Sequence, residues 1–302
     1  MFTGVCICGD NERKKGYRVV KISVIIPTYN RRDMIKSAIE SVFRQSWRDY
    51  ELIIVDDASG DGTGPWIRQT YHDRLKYIMT QHSGVSHARN IGISHAQGEF
   101  IAFLDSDDYW LEHKLQTQMD QMIANPHYLI SHTQEKWFRN GVFLNQKKIH
   151  QQKGGDLFRK SLKMCSIGMS TVMVRKNLFC RVGLFDESFP ACEDYDLWLR
   201  ATSKYFVLLI PEALTVKHGG HPDQLSHQYP LMDQFRIRSI VNLIESASLT
   251  ESQRQCAEQE LDRKGYVLAN GCFKRNKRDE GNSYIQLIKK YCAKTPFIDR
   301  LT

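Results

Sequence analysis

The sequence predicts an α/β protein: a mixed, mainly parallel sheet with helices on both faces, followed by a helical C-terminal region. Three observations predict it. Short β-rich apolar runs alternate with amphipathic stretches over roughly the first hundred residues. Three of those runs end in polar clusters, Tyr29-Asn30, Asp56-Asp57 and Asp105-Ser106-Asp107, and open parallel sheets bind ligands beyond the carboxyl ends of their strands. After Tyr229 the pattern is mostly helical.

In chain order, Lys21 to Pro27 reads as a buried strand and Arg32 to Gln45 as a helix with Met34, Ile35, Ala38, Ile39 and Val42 on its apolar side. Glu51 to Val55 is a second strand. Gly60, Gly62 and Gly64 break the chain before a helix containing Trp66 and Ile67. Leu75 to Met79 is a third strand, Val85 to Ala96 a helix, and Glu99 to Leu104 a fourth strand running into Asp105. Beyond residue 128 the rhythm changes. Tyr128 to His132, Ser170 to Val174 and Phe206 to Ile210 are strand-like, and they are expected to complete the sheet. Leu231 to Ser246, Glu251 to Ala269 and Ser283 to Tyr291 read as helices. The expected division is an N-terminal extension over 1–20, a core domain over 21–225 (halves 21–125 and 126–225), and a helical region over 226–302.

At 41% hydrophobic and 25% charged residues, the chain of 302 residues has the composition of a folded globular protein, which excludes disorder. The net charge of +8 is compatible with nucleic acid, an anionic membrane or phosphorylated small molecules. No nucleic-acid motif accompanies it, so no nucleic-acid partner is expected. The densest basic run, Lys274-Arg275-Asn276-Lys277-Arg278, reads either as a solvated turn between helices or as a contact for lipid headgroups. Eight cysteines occur without a CxxC pair, and all eight are expected as reduced thiols in a cytoplasmic protein. No apolar run approaches about 18 residues, so no transmembrane helix is expected. The first twenty residues lack the features of a signal peptide.

Asp105, Asp107 and Asp108 crowd one strand end. Successive carboxylates repel unless a cation or solvent neutralises them, and hard oxygen ligands suit Mg²⁺ or Mn²⁺ bound together with nucleotide phosphates. The same residues also suit an acidic cap on a helix beginning near Trp110. Asp57 reads either as an acceptor for a base or ribose hydroxyl or as a turn former. Glu193-Asp194 precedes Leu197-Trp198-Leu199, as a helix cap or as a general base. His218-Gly219-Gly220-His221 is either a flexible loop or a phosphate-facing knot. No GxGxxG follows the first strand, which removes the dehydrogenase reading.

Five blocks occur together in order: Ser23 to Asn30, Glu51 to Ser59, Ala88-Arg89-Asn90-Ile91-Gly92, Gly98 to Asp108, and Glu193 to Leu199. In that order they resemble the family-2 glycosyltransferases over roughly residues 21 to 220. The resemblance implies the GT-A fold, a Rossmann-like sheet, and single-displacement transfer of a hexosyl group from a nucleotide-diphosphate sugar with inversion. It implies that Tyr29 stacks on the base with Pro27 beside it, that Asp57 reads the base, and that Arg89 lies near the nucleotide. It makes Asp107 the direct ligand of Mn²⁺ or Mg²⁺, Asp105 a ribose or metal-water contact, Asp194 the catalytic base and Glu193 an acceptor contact. His221 is expected over the diphosphate. UDP-sugar is the expected donor, and a saccharide or lipid-linked molecule of envelope polysaccharide biosynthesis the expected acceptor. Peripheral contact with the inner membrane face is also expected. The alternatives are a non-catalytic nucleotide-sugar-binding protein and a sugar nucleotidyltransferase.

Overall fold

The structure, a computed structural model, describes residues 21–220, 229, 231–246 and 249–301. Strand β1 (Ile22–Thr28) lies between β2 (Tyr50–Asp56) and β4 (Phe100–Phe103), and β3 (Lys76–Met79) pairs with β2; all three pairings are parallel. Between them run helices α1 (Arg32–Phe43), α2 (Thr63–Tyr71) and α3 (Val85–His95). Side-chain alternation along β1 explains why both faces are covered. Ile22, Val24 and Ile26 share one core with Ile35 and Ile39 of α1 and Ile67 of α2. Ile25 points the other way, to α3, where a Cβ on Gly92 would meet its Cγ2 at 2.5 Å. Glycine at 92 therefore lets α3 approach the sheet closely.

The second half adds strands that reverse direction. Strand β8 (Val172–Arg175) is antiparallel to β4, and β6 (Ile130–Arg139) is antiparallel to β8 and parallel to β9 (Val207–Gly219). Two short strands complete the sheet: β5 (Tyr109–Trp110) pairs with β9, and β7 (Val142–Leu144) with β6. The order is β3-β2-β1-β4-β8-β6-β9-β5. The sheet is mixed, as expected, with the all-parallel run β3-β2-β1-β4 at its start. The expected strands at 128–132 and 206–210 grow to ten and thirteen residues because each is the other's partner. Helix formation after the acidic cluster begins at Lys114, where α4 (Lys114–Ala124) starts, not near Trp110. Trp110 is held instead in β5, and its indole nitrogen donates to the Ser170 carbonyl at 2.7 Å.

The described residues fall into two compact units. One takes the described parts of Met1–Gly155, Ile167–Pro190 and Tyr205–Pro222, including the short helix α6 (Leu178–Val182). The other takes those of Asp156–Ser166, Ala191–Lys204 and Asp223–Thr302. The contiguous boundary expected at 225 therefore gives way to an interleaved one. Helices α5 (Phe158–Lys163) and α7 (Glu193–Thr202) bury Phe158, Leu162, Tyr195 and Leu199 against α8 (Met232–Ser246), α9 (Glu251–Lys274) and α10 (Arg278–Tyr291). Thr250 and Gln253 form a reciprocal capping box at the start of α9. The basic run at 274–278 is the exposed connection from α9 to α10, in keeping with a solvated turn. Cys165, Cys192, Cys256, Cys272 and Cys292 are free thiols, whereas Cys180 is disulfide-bonded. The expectation of eight reduced thiols fails there, because sequence spacing carries no record of a pairing made in the folded chain. Among the described residues no helix is long and apolar enough to cross a membrane.

One buried charge makes the sheet unit less stable than its core allows. Lys114 is fully buried, and its Nζ has no hydrogen-bond partner among the described residues. It lies 3.8 Å from the centroid of the Trp110 ring, a cation–π contact that offsets part of its desolvation. Burial pushes its amine well below the usual lysine range. The folded chain then binds fewer protons than the unfolded chain at pH values between the depressed and the ordinary pKa. Stability accordingly rises with pH across that window. Lys114→Met is expected to add about 1–2 kcal/mol near neutral pH and to flatten this slope, as measured by urea unfolding at a series of pH values. A less stable variant with the slope intact would refute the account.

Candidate active site

Because β2, β1 and β4 are adjacent and parallel, their carboxyl ends lie side by side, and with them the three polar clusters. The loops are laced together. Asn30, at a positive φ of 51°, donates its backbone N–H to Ser59 Oγ at 2.8 Å, and its Oδ1 accepts from the Gly60 N–H. Asp56 accepts from Ser59 N–H and from the Tyr77 hydroxyl at 2.6 Å.

Pro27 is buried within β1 opposite Val55, and Tyr29 just beyond it is 44% exposed. The Tyr29 ring stacks on His82, with centroids 4.3 Å apart and an interplanar angle of 23°. Asp57 is buried, and its two carboxylate oxygens accept the backbone N–H groups of Ser83 and Gly84 at 2.8 and 2.9 Å. His82 Nδ1 approaches the same carboxylate at 2.8 Å. Asp57 thus fixes the loop that leads into α3, and His82 joins Tyr29 and Asp57 into one group. Sequence reading missed His82, which sits in a polar run with no motif of its own.

Arg89 projects from α3, is buried, and donates to Asp105 Oδ1 at 2.9 Å; its guanidinium also lies over the Phe185 ring. Arg31 Nη1 stands 3.9 Å from Asp107 Oδ2. The cluster is therefore already partly neutralised by two arginines, of which only Arg89 was legible. The third carboxyl, Asp108, has another fate. Ser170 Oγ donates to it at 2.6 Å, and the His218 N–H donates at 3.0 Å. Burial pushes its carboxyl well above the usual range, with the Lys217 ammonium acting in the opposite direction. Ser170 also receives the Asp105 N–H at 3.1 Å, so one hydroxyl ties the acidic loop to the sheet. The alternative of an acidic helix cap is removed, because α4 has no acidic residue in its first turn.

Two of the three carboxylates reach the surface in part. The side chains of Asp105 and Asp107 are 30% and 20% exposed. No group of three or more acidic, histidine or cysteine side chains arranged for a metal occurs among the described residues. A hard divalent cation that draws its remaining oxygens from phosphates and water fits that donor set.

In the helical unit, α7 begins after Cys192, which adopts a left-handed φ of 63°. Glu193 is buried. The Asp194 Oδ1 accepts the Tyr195 N–H at 2.6 Å, and its Oδ2 accepts from Cys165 Sγ at 3.1 Å. Cys165 carried no signal in the sequence. Beneath this helix, Lys264 is buried against Asp233 and Glu260, and Arg236 lies over the Tyr195 ring. His221 lies outside the described residues.

A mixed sheet whose parallel run ends in an aromatic stack and a pair of partly exposed aspartates defines a GT-A protein. The chain belongs to glycosyl transferase family 2, whose model matches residues 23–180. An uncharacterized glycosyltransferase of Rickettsia felis is 31% identical over 98% of this chain and 50% of that protein. The chain thus spans about half the length of that relative. The UDP-Glc:alpha-D-GlcNAc-diphosphoundecaprenol beta-1,3-glucosyltransferase WfgD of Escherichia coli is 35% identical over 59% of this chain and 68% of that protein. S. aureus TarS 1-349, solved in complex with UDP-GlcNAc, superposes with a TM-score of 0.70 at 23% identity, covering 94% of this chain and 84% of that one. That likeness establishes the fold.

Proposed function

We propose that this protein transfers a sugar from a UDP-sugar to a hydroxyl of a saccharide or lipid-linked acceptor, with inversion. The observation that carries the reading is the partly exposed pair Asp105 and Asp107 at the end of β4, beside the Tyr29–His82 stack at the neighbouring strand ends. The E. coli relative's named donor and acceptor support the nucleotide and the lipid-linked class.

Asp107 and Asp105 would hold Mn²⁺ or Mg²⁺, which when bound supplies positive charge for the departing diphosphate. Tyr29 offers a π face to the base, and Asp57 keeps the adjoining loop in place. Arg89 and Arg31 hold the two aspartates in position and add positive potential where phosphate charge gathers. In the transfer, the acceptor O–H gives its proton to the Asp194 carboxylate. Its oxygen bonds to the anomeric carbon as that carbon's bond to the diphosphate oxygen breaks, and the electron pair leaves with the nucleoside diphosphate. Glu193 lies beside the base and serves the acceptor, and His221 is assigned to the diphosphate side.

A thermal-shift screen of UDP-, GDP- and dTDP-sugars with and without Mn²⁺ tests the donor. UDP-sugars are expected to raise Tm in the presence of Mn²⁺, by an amount that grows with ligand concentration above Kd. A metal-dependent shift confined to GDP- or dTDP-sugars would overturn the UDP assignment, and no shift with any donor would overturn the binding site.

A further inference from the structure

The hairpin of β6 and β7 takes no part in the chemistry above, and its surface is unusual. Its turn is Asn140-Gly141, with φ values of 49° and 77°, the paired positive angles of a two-residue turn that matches strand twist. Trp137 faces Leu144 and Phe138 faces Phe143 across the strands, the two phenyl rings 5.6 Å apart. The hairpin is thus preformed. Even so, Val142, Phe143 and Leu144 are 66%, 52% and 40% exposed, and nearby Ile149 is 62% exposed. Single exposed apolar residues are ordinary, whereas a contiguous group marks a surface that meets something else.

The charge around that tip has one sign. Lys136, Arg139, Lys147, Lys148 and Lys153 are all exposed, and residues 136–155 contain no Asp or Glu. Strand alternation sends Val142 and Leu144 to one side of the hairpin and Phe143 to the other. A groove on a protein covers one side of such a strand. Hydrocarbon surrounds a wedge from every side, while the flanking ammonium groups meet lipid phosphates. We propose that the β6–β7 hairpin is a membrane-docking wedge for an anionic bilayer surface. Its base lies at the end of the sheet that carries the acidic loop. There β6 pairs with β9 as far as Gly219, and the His218 N–H binds Asp108. Docking would bring lipid headgroups to that same end. The basic turn at 274–278, by contrast, carries charge with no exposed large apolar side chain of its own.

Flotation of the full chain with vesicles tests the proposal without any sugar donor, so its outcome is independent of the transfer reaction. The protein is expected to float with phosphatidylcholine vesicles containing phosphatidylglycerol and to stay behind with phosphatidylcholine alone. Phe143→Ser combined with Leu144→Ser is expected to weaken binding about tenfold. Lys147→Gln combined with Lys148→Gln is expected to weaken it about 25-fold, from roughly fivefold per cation removed. Equal binding to neutral vesicles, or wild-type binding by both variants, would overturn the proposal. Loss of binding on Lys274→Glu with Arg275→Glu alone would assign docking to the other basic run. A self-association in sedimentation velocity that Phe143→Ser with Leu144→Ser abolishes would make this face a contact between copies, and would likewise overturn it.

Discussion

Asp194→Asn is expected to lower kcat by about a thousandfold, the scale on which a lost general base is felt, while donor affinity stays within about twofold of wild type. The carboxamide keeps the size of the side chain and the oxygen that accepts the Tyr195 N–H. Its NH₂ group still has the Cys165 sulfur within reach. Helix α7 is therefore retained, and what disappears is a carboxylate able to take the acceptor's proton. Steady-state kinetics with a UDP-sugar, alongside thermal shift by UDP, separate the two effects. A kcat within about fivefold of wild type would remove Asp194 from the chemistry. A variant that no longer binds donor would show a structural role instead. If the wild type turns over no donor, the alternative of a non-catalytic sugar-nucleotide-binding protein takes its place.

Asp107→Asn is expected to cost about a hundredfold or more in kcat, in line with the loss of charge stabilisation at a leaving group. It is also expected to abolish the Mn²⁺-dependent part of the donor-induced rise in Tm. The structure separates the two aspartates more sharply than the motif does. Asp105 is committed through one oxygen to the buried Arg89 at 2.9 Å, whereas Arg31 stands 3.9 Å from Asp107. Asp105→Asn is therefore expected to disturb the arrangement of Arg89 as well as any cation. Retention of the metal-dependent shift by Asp107→Asn would place the cation elsewhere.

Much of this was legible because it is local. Short unbroken apolar runs in Ser23 to Pro27 and Glu51 to Val55 mark buried strands whichever partners they find. The polar clusters at their ends are visible as abrupt changes in composition. Family blocks then placed Tyr29, Asp57, Arg89, Asp105, Asp107 and Asp194 in one framework. The less legible features are those made by contacts between distant residues. Ser170 was read as part of a strand, yet it sits in a 3₁₀ turn before β8, where it holds Asp105 and Asp108. His82 has no sequence signature, and its place against Tyr29 and Asp57 arises because two parallel strands bring their exits together. The fate of Asp108 was also hidden. Three aspartates within four residues look equivalent, and one of them is removed from the cluster by burial.

The sequence by itself determined the α/β class, the strands that end in acidic or aromatic residues, and the family, since each of these is written in local period or in short contiguous blocks. Tertiary structure alone decided the strand order and the assignment of 156–166 and 191–204 to the helical unit. It also decided which carboxylate of the acidic loop is buried and which apolar residues are left in water on the β6–β7 hairpin. The physical reason is the same in every case. Burial, pairing and charge neutralisation depend on which distant segments the folded chain brings together, and no local pattern of residues encodes that choice.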